Sequence, residues 1–234
     1  EERRRLALAL IERLVEDPSR HVRRLAAEKL AGIRLPMALS ALRGAAESDP
    51  EAPVRVAALD ALAQSGPDPE LASFACAQFE AGYSWETMGA AARLFAAAAP
   101  EEAEAFLCES LAIDSPHGAL ARSLYAALGR LGTESATLAL RRAALDETVP
   151  VAARAAAVEA LGQGAQHSSA TSAELAGLLA FTAHYPLQTA LIEALGRFED
   201  RRVLAPLEAF YERSDDARQR RTIERILRQP WARP

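Results

Sequence analysis

Seven positions spaced 32, 33, 33, 33, 34 and 31 residues apart open segments that resemble one another: Val22, Val54, Thr87, Leu120, Ala153, Leu187 and Arg218. Arg20–Gly32 reads RHVRRLAAEKLAG and Ala52–Gln64 reads APVRVAALDALAQ; ARAAAVEALGQ (Ala153–Gln163) and LQTALIEALGR (Leu187–Arg197) follow the same plan. A period this steady constrains the fold more than any other feature. Each unit is one supersecondary element that cannot bury its apolar faces alone and must stack on its neighbours.

Within each segment, small or apolar residues recur three, four, seven and eight places after the first position, as in Ala57, Ala58, Ala61 and Leu62, or Ala156, Ala157, Ala160 and Leu161. That spacing marks one face of an α-helix. Leu62, Leu128, Leu161 and Leu195 share a layer position and are assigned to the core. Gly32, Gly129, Gly162 and Gly196 come next, and are predicted to close their helices in the left-handed conformation. Turn signals precede the segments: Asp17-Pro18-Ser19, Asp49-Pro50, Asp114-Ser115-Pro116 and Tyr185-Pro186. Upstream of each turn lies a second amphipathic stretch, at 3–16, 35–48, 69–80, 100–113, 134–146, 173–183 and 201–213. The expected fold is all-α: an α-α superhelix, or solenoid, of about seven helix pairs, spanning 1–234 as one domain.

Composition agrees. Half of the 234 residues are hydrophobic, dominated by the helix formers Ala and Leu, and aromatic residues make up only 6%. No apolar run approaches the roughly 18 residues needed to span a membrane. Two cysteines, Cys76 and Cys108, cannot build a disulfide framework, which points to a reducing, cytoplasmic setting. The net charge of −5 is uneven: residues 1–34 hold nine basic and six acidic groups, residues 201–234 nine and five, which leaves 35–200 with 9 basic and 21 acidic. A central acidic belt argues against a nucleic-acid groove. The chain opens on Glu1 rather than Met, which we read as the start of a piece of a longer protein.

The repeat resembles the HEAT family, whose units carry a turn Asp, an Arg six residues later, and Val-Arg-x-x-Ala-x-x-Ala-Leu in the second helix. Asp17 with Arg23 and Asp49 with Arg55 match that pairing. The resemblance implies an Asp–Arg ladder along the stack. Arg154 remains, but Met88, Ala121, Gln188 and Gln219 replace the Arg in the other later units, so the ladder is expected to fade after the second repeat. HEAT proteins have many functions, so this resemblance speaks to fold. A narrower likeness lies in SWETMGAAARLFA (Ser84–Ala96), SPHGALARSLYAALGRLG (Ser115–Gly132) and EDRRVLAPLEAFYERSDDARQRRTIERIL (Glu199–Leu227). These look like the C-terminal HEAT array of bacterial zinc aminopeptidases of the aminopeptidase N type. In that family the helical part covers a zinc site held elsewhere. No HExxH stretch occurs here, so none of its catalytic residues carries over.

Residues that bear chemistry are scattered. His21, His117, His167 and His184 fall in four different repeats, at or near turns and without metal-ligand spacing. Cys76 and Cys108 stand 32 apart on the first helices of adjacent repeats, where two small buried residues are the plain reading and a redox pair the other. HEAT-like DNA glycosylases are similar in length, but Trp85, beside Tyr83 and Glu86, is the sole Trp within the repeats and the central units are acidic. Bilin lyases also use such repeats; no Cys or His cluster suggests tetrapyrrole chemistry. No catalytic residue, cofactor or metal is expected.

One pattern points to binding. Six places after the first position stand Glu28, Asp60, Arg93, Ala126, Glu159, Glu193 and Glu224. Five of the seven are acidic, on the face opposite the Ala/Leu core. Local partners such as Arg24–Glu28 and Arg220–Glu224 would make this an ordinary solvated face; Glu159 and Glu193 have no base four residues before them. The expectation is a scaffold that binds a protein or peptide, or another domain of its parent chain, through an acidic groove.

Overall fold

The computed structural model describes residues 1–164 and 169–232, and all regular structure among them is helical, with fourteen α-helices. His167 lies outside the described residues. The residues gather into two compact units, Glu1–Ser115 and Pro116–Pro234.

The first unit holds α1 (Glu2–Glu16), α2 (Arg20–Leu30), α3 (Pro36–Ser48), α4 (Ala52–Leu62), α5 (Pro69–Ala81), α6 (Trp85–Ala98) and α7 (Pro100–Ser110). Helices α1/α2, α3/α4 and α5/α6 pair, and the second helices α2, α4 and α6 pack in succession. The second unit holds α8 (Ala119–Leu131), α9 (Glu134–Leu145), α10 (Val151–Gln163), α11 (Ser169–Phe181), α12 (Tyr185–Arg197), α13 (Leu204–Arg213) and α14 (Ala217–Leu227). Pairs α9/α10, α11/α12 and α13/α14 stack so that α8, α10, α12 and α14 follow one another. This is an α-solenoid arrangement within each unit.

Local chemistry sets the helix ends. Pro36, Pro69 and Pro100 open α3, α5 and α7, where a missing N–H costs nothing. Asp68 Oδ1 accepts from the Glu70 and Leu71 amides, Ser84 Oγ from the Thr87 amide, and Asp216 Oδ1 from those of Arg218 and Gln219. These side chains satisfy amides that have no partner within the helix.

Leu62, Leu128, Leu161 and Leu195 are buried in the predicted layer, at 0%, 0%, 4% and 0% exposure. The glycines divide. Gly32 closes α2 at φ 74°, as expected, but Gly129, Gly162 and Gly196 lie inside α8, α10 and α12 and do not take positive φ. Their role is close approach. A Cβ on Gly129 would fall 2.8 Å from both the Cβ and the carbonyl oxygen of Ala160, one on Gly162 2.9 Å from Ala194 Cα, and one on Gly196 2.6 Å from Ile226 Cδ1. Helices α8 and α10, and α10 and α12, therefore meet nearly backbone to backbone, whereas α12 meets α14 through the Ile226 side chain. Gly82 after α5 and Gly132 after α8 are further left-handed caps.

Candidate protein-interaction face

The ladder forms at the turns of the first unit. Arg23 donates from Nε and Nη2 to the Asp49 carboxylate of the next layer (2.7 and 3.1 Å), and from Nη1 to the Asp17 carbonyl oxygen (3.0 Å). The Asp49 carboxylate holds the Arg23 pKa above its ordinary value. Asp17 and Asp49 also accept from the amides two residues on, Ser19 and Glu51, which shapes each turn. Arg55 repeats the inward bond, to the Asp49 carbonyl at 2.7 Å. Gly82 stands where the next Asp would, and the Arg55 guanidinium lies over the Tyr83 ring instead, 5.4 Å from its centroid. The ladder then resumes in other chemistry. Arg154 is buried and donates to the Ala144 carbonyl, Gln188 Nε2 donates to the Thr182 carbonyl (2.9 Å), and Gln219 Nε2 reaches Gln188 Oε1 (3.2 Å). The amides of Gln188 and Gln219 bridge the last two layers, which the expectation of a fading ladder missed.

The acidic positions do not share one environment. In the first unit Glu28 accepts from Arg24 Nη1 at 2.6 Å, and Asp60 is held by Arg93 through two bonds of 2.9 Å, Nε to Oδ1 and Nη2 to Oδ2. Arg93 occupies the equivalent position one layer on, so the stripe neutralises itself there. Glu28 and Asp60 still line one groove of about 470 Å³ between α2 and α4, with Arg24, Val56, Gln64 and Glu86.

In the second unit, Glu159 is exposed on α10 and has no ion pair among the described residues. Glu193 on α12 is about half exposed, with Arg197 Nη2 4.0 Å away. Glu224 departs from the stripe. Its carboxylate accepts from the Tyr211 hydroxyl of α13 at 2.8 Å and lies 3.8 Å from Arg228. Arg220, its expected partner, sits over the Tyr211 ring at 4.3 Å. Arg225, not Glu224, shares a groove of about 300 Å³ with Glu193. The cause is register: Gly196 meets Ile226, whereas Gly129 and Gly162 meet Ala160 and Ala194, seven places after their first positions. In the stack the last repeat therefore begins at Gln219, one residue later than the sequence pattern suggests. The shortened 31-residue spacing was the available signal.

The groups weighed for chemistry stand apart. Among the described residues, no three His, Cys, Asp or Glu side chains form a group able to hold a metal ion. His21, His117 and His184 are exposed. Cys76 is half-buried and Cys108 exposed, so they are not the two buried small residues expected. Partial desolvation, then the charges of Glu80 and Glu102, pushes the Cys76 thiol pKa up, and partial desolvation, then Glu104, does the same for Cys108. Both shifts oppose a thiolate nucleophile. Trp85 is 37% exposed at the start of α6. No described helix is long and apolar enough to cross a membrane.

Among curated proteins no sequence matches the chain. A solved structure similar to it is that of human deoxyhypusine hydroxylase in complex with glycerol, with 20% identity over 97% of this chain and 96% of that one, and a TM-score of 0.48. The family model described as HEAT repeats matches residues 7–80. These residues run from α1 into α5, so the match covers the first two helix pairs and most of the next helix.

Proposed function

We propose that this chain is a non-catalytic helical-repeat module that binds a basic protein or peptide segment along α10 and α12 of its second unit. The observation that carries the reading is Glu159: an exposed carboxylate on α10 with no ion pair among the described residues, one layer before the loosely paired Glu193. Their charges attract cationic partners, and the attraction weakens as salt screens it. The test is fluorescence anisotropy with a labelled Arg/Lys-rich peptide at low ionic strength. The Glu159→Gln/Glu193→Gln pair retains the helical circular dichroism of the unmodified chain and binds the peptide more weakly. Equal binding by the two proteins would reduce this face to a solvated surface.

A narrower form of the reading makes the basic segment part of a zinc aminopeptidase within the same parent chain. It is supported by the likeness of Ser84–Ala96, Ser115–Gly132 and Glu199–Leu227 to that family's helical array. Sequencing the gene upstream for an HExxH stretch is its direct test.

A further inference from the structure

The last helix carries charge of one sign on its open side. Arg218, Arg221, Arg225 and Arg228 stand at i, i+3, i+7 and i+10 and are all exposed. At about 100° per residue they fall within an arc of about 80°. The opposite side of α14 is buried through Gln219, Ile223 and Ile226. Arg220 belongs to another face, over Tyr211, and Glu224, the sole acid in α14, accepts from the Tyr211 hydroxyl and lies 3.8 Å from Arg228, so the charge of the row rests on Arg218, Arg221 and Arg225. Arg221 Nε donates to the Ala217 carbonyl at 3.0 Å, which orients its guanidinium without neutralising it.

Mixed charges give an ordinary solvated surface, whereas arginines in one exposed row create a directed field. We infer that this row docks an acidic helix of a partner protein. Guanidinium groups pair with carboxylates through two parallel bonds, a geometry that Lys does not offer. The row is about 15 Å long at 1.5 Å per residue, the length of about three helical turns. Arg225 also lines a mainly polar groove with Glu193, Arg197 and Gln229. Acids flank the row: Asp215 and Asp216 before α14, Glu193 across the groove and Glu224 beside it. A phosphate strand longer than the row would run onto Asp215 and Asp216, which a helix of about three turns need not reach.

The probe is a fluorescein-labelled amphipathic peptide with glutamates at i, i+3, i+7 and i+10, titrated with the full chain at low salt. Binding is expected, weakening as salt rises. Arg221→Gln/Arg225→Gln raises Kd at least about tenfold, and Arg221→Lys/Arg225→Lys restores part of the loss. Arg142→Gln, at an exposed arginine of α9, has no effect. Glu159→Gln leaves this binding intact, so the result is independent of the basic-peptide site. Should the glutamine pair lose its helical circular dichroism, the lysine pair and the salt dependence of the unmodified chain carry the same test. Unchanged affinity in a folded glutamine pair overturns the inference. So does a short DNA duplex that displaces the peptide and depends more strongly on the same arginines, or self-association of the chain through this row in sedimentation.

Discussion

Arg23 and Asp49 face each other across adjacent layers in a two-point ion pair, with bonds of 2.7 and 3.1 Å and side-chain exposures of 11% and 6%. Each partner also serves its own turn: Arg23 donates to the Asp17 carbonyl, and Asp49 accepts from the Glu51 amide. Arg23→Ala is expected to cost about 1.5–3 kcal/mol, the range for hydrogen bonds to charged groups. Asp49→Asn keeps an oxygen for the turn and costs less than Asp49→Ala, which removes both functions. Urea unfolding of the three variants checks the order.

Gly129 and Gly162 are expected to reject alanine. A methyl group there meets backbone atoms of the next helix, at 2.8–3.0 Å around Ala160 and 2.9 Å at Ala194 Cα, so overpacking of about 1–3 kcal/mol outweighs the gain in helix propensity of about 1 kcal/mol. At Gly196 the obstacle is the tip of Ile226, which can turn aside, and the loss is smaller. Gly177, exposed inside α11 with nothing within 4 Å of an added Cβ, gives the opposite sign: Gly177→Ala stabilises by up to about 1 kcal/mol. Chemical denaturation of the four single variants measures each shift.

Leu62, Leu128, Leu161 and Leu195 test the layer assignment. Each is at most 4% exposed, and each change to Ala is expected to cost about 2–5 kcal/mol. Losses below about 0.5 kcal/mol at all four, the range of surface substitutions, would mean that the helix phase is wrong.

Stability should fall at alkaline pH. Burial, and then the Asp146 charge, raises the Tyr125 pKa, so the unfolded chain releases this proton first as pH climbs past about 10. The unfolded state then binds fewer protons, and stability is lost from the ordinary phenol value up to the folded one. Cys76 and Cys108 act in the same sense from about pH 8.5. Thermal melts across this range show a falling Tm, and Tyr125→Phe flattens the fall above about pH 10 while leaving neutral-pH behaviour near that of the unmodified chain.

The helix pairs were legible because periodicity records burial directly. Arg3–Glu16, Pro69–Glu80 and Glu134–Asp146 fall within one residue of the observed α1, α5 and α9. What was hidden depends on the neighbouring layer. Gly129 reads as a helix end until Ala160 is placed against it, and Gln188 reads as a gap in the ladder until Gln219 supplies its partner. Among the acidic positions, Asp60 is neutralised by Arg93, 33 residues later, a pairing that only stacking creates. Glu224 was misplaced because a fixed offset cannot register the shortened last repeat.

The contact at Gly129 also bears on how this protein can change over generations. A bulky substitution in an ordinary core can be rescued by trimming the residue opposite. Here the residue opposite is already Ala, and an added methyl would meet its main-chain oxygen and Cα as well as its side chain. No second-site replacement at Ala160 removes those atoms. A suppressor of Gly129→Ala must move a whole helix, which would drag the following layers with it. The position therefore admits very few revertant routes, and variation in this lineage should be channelled to the exposed faces.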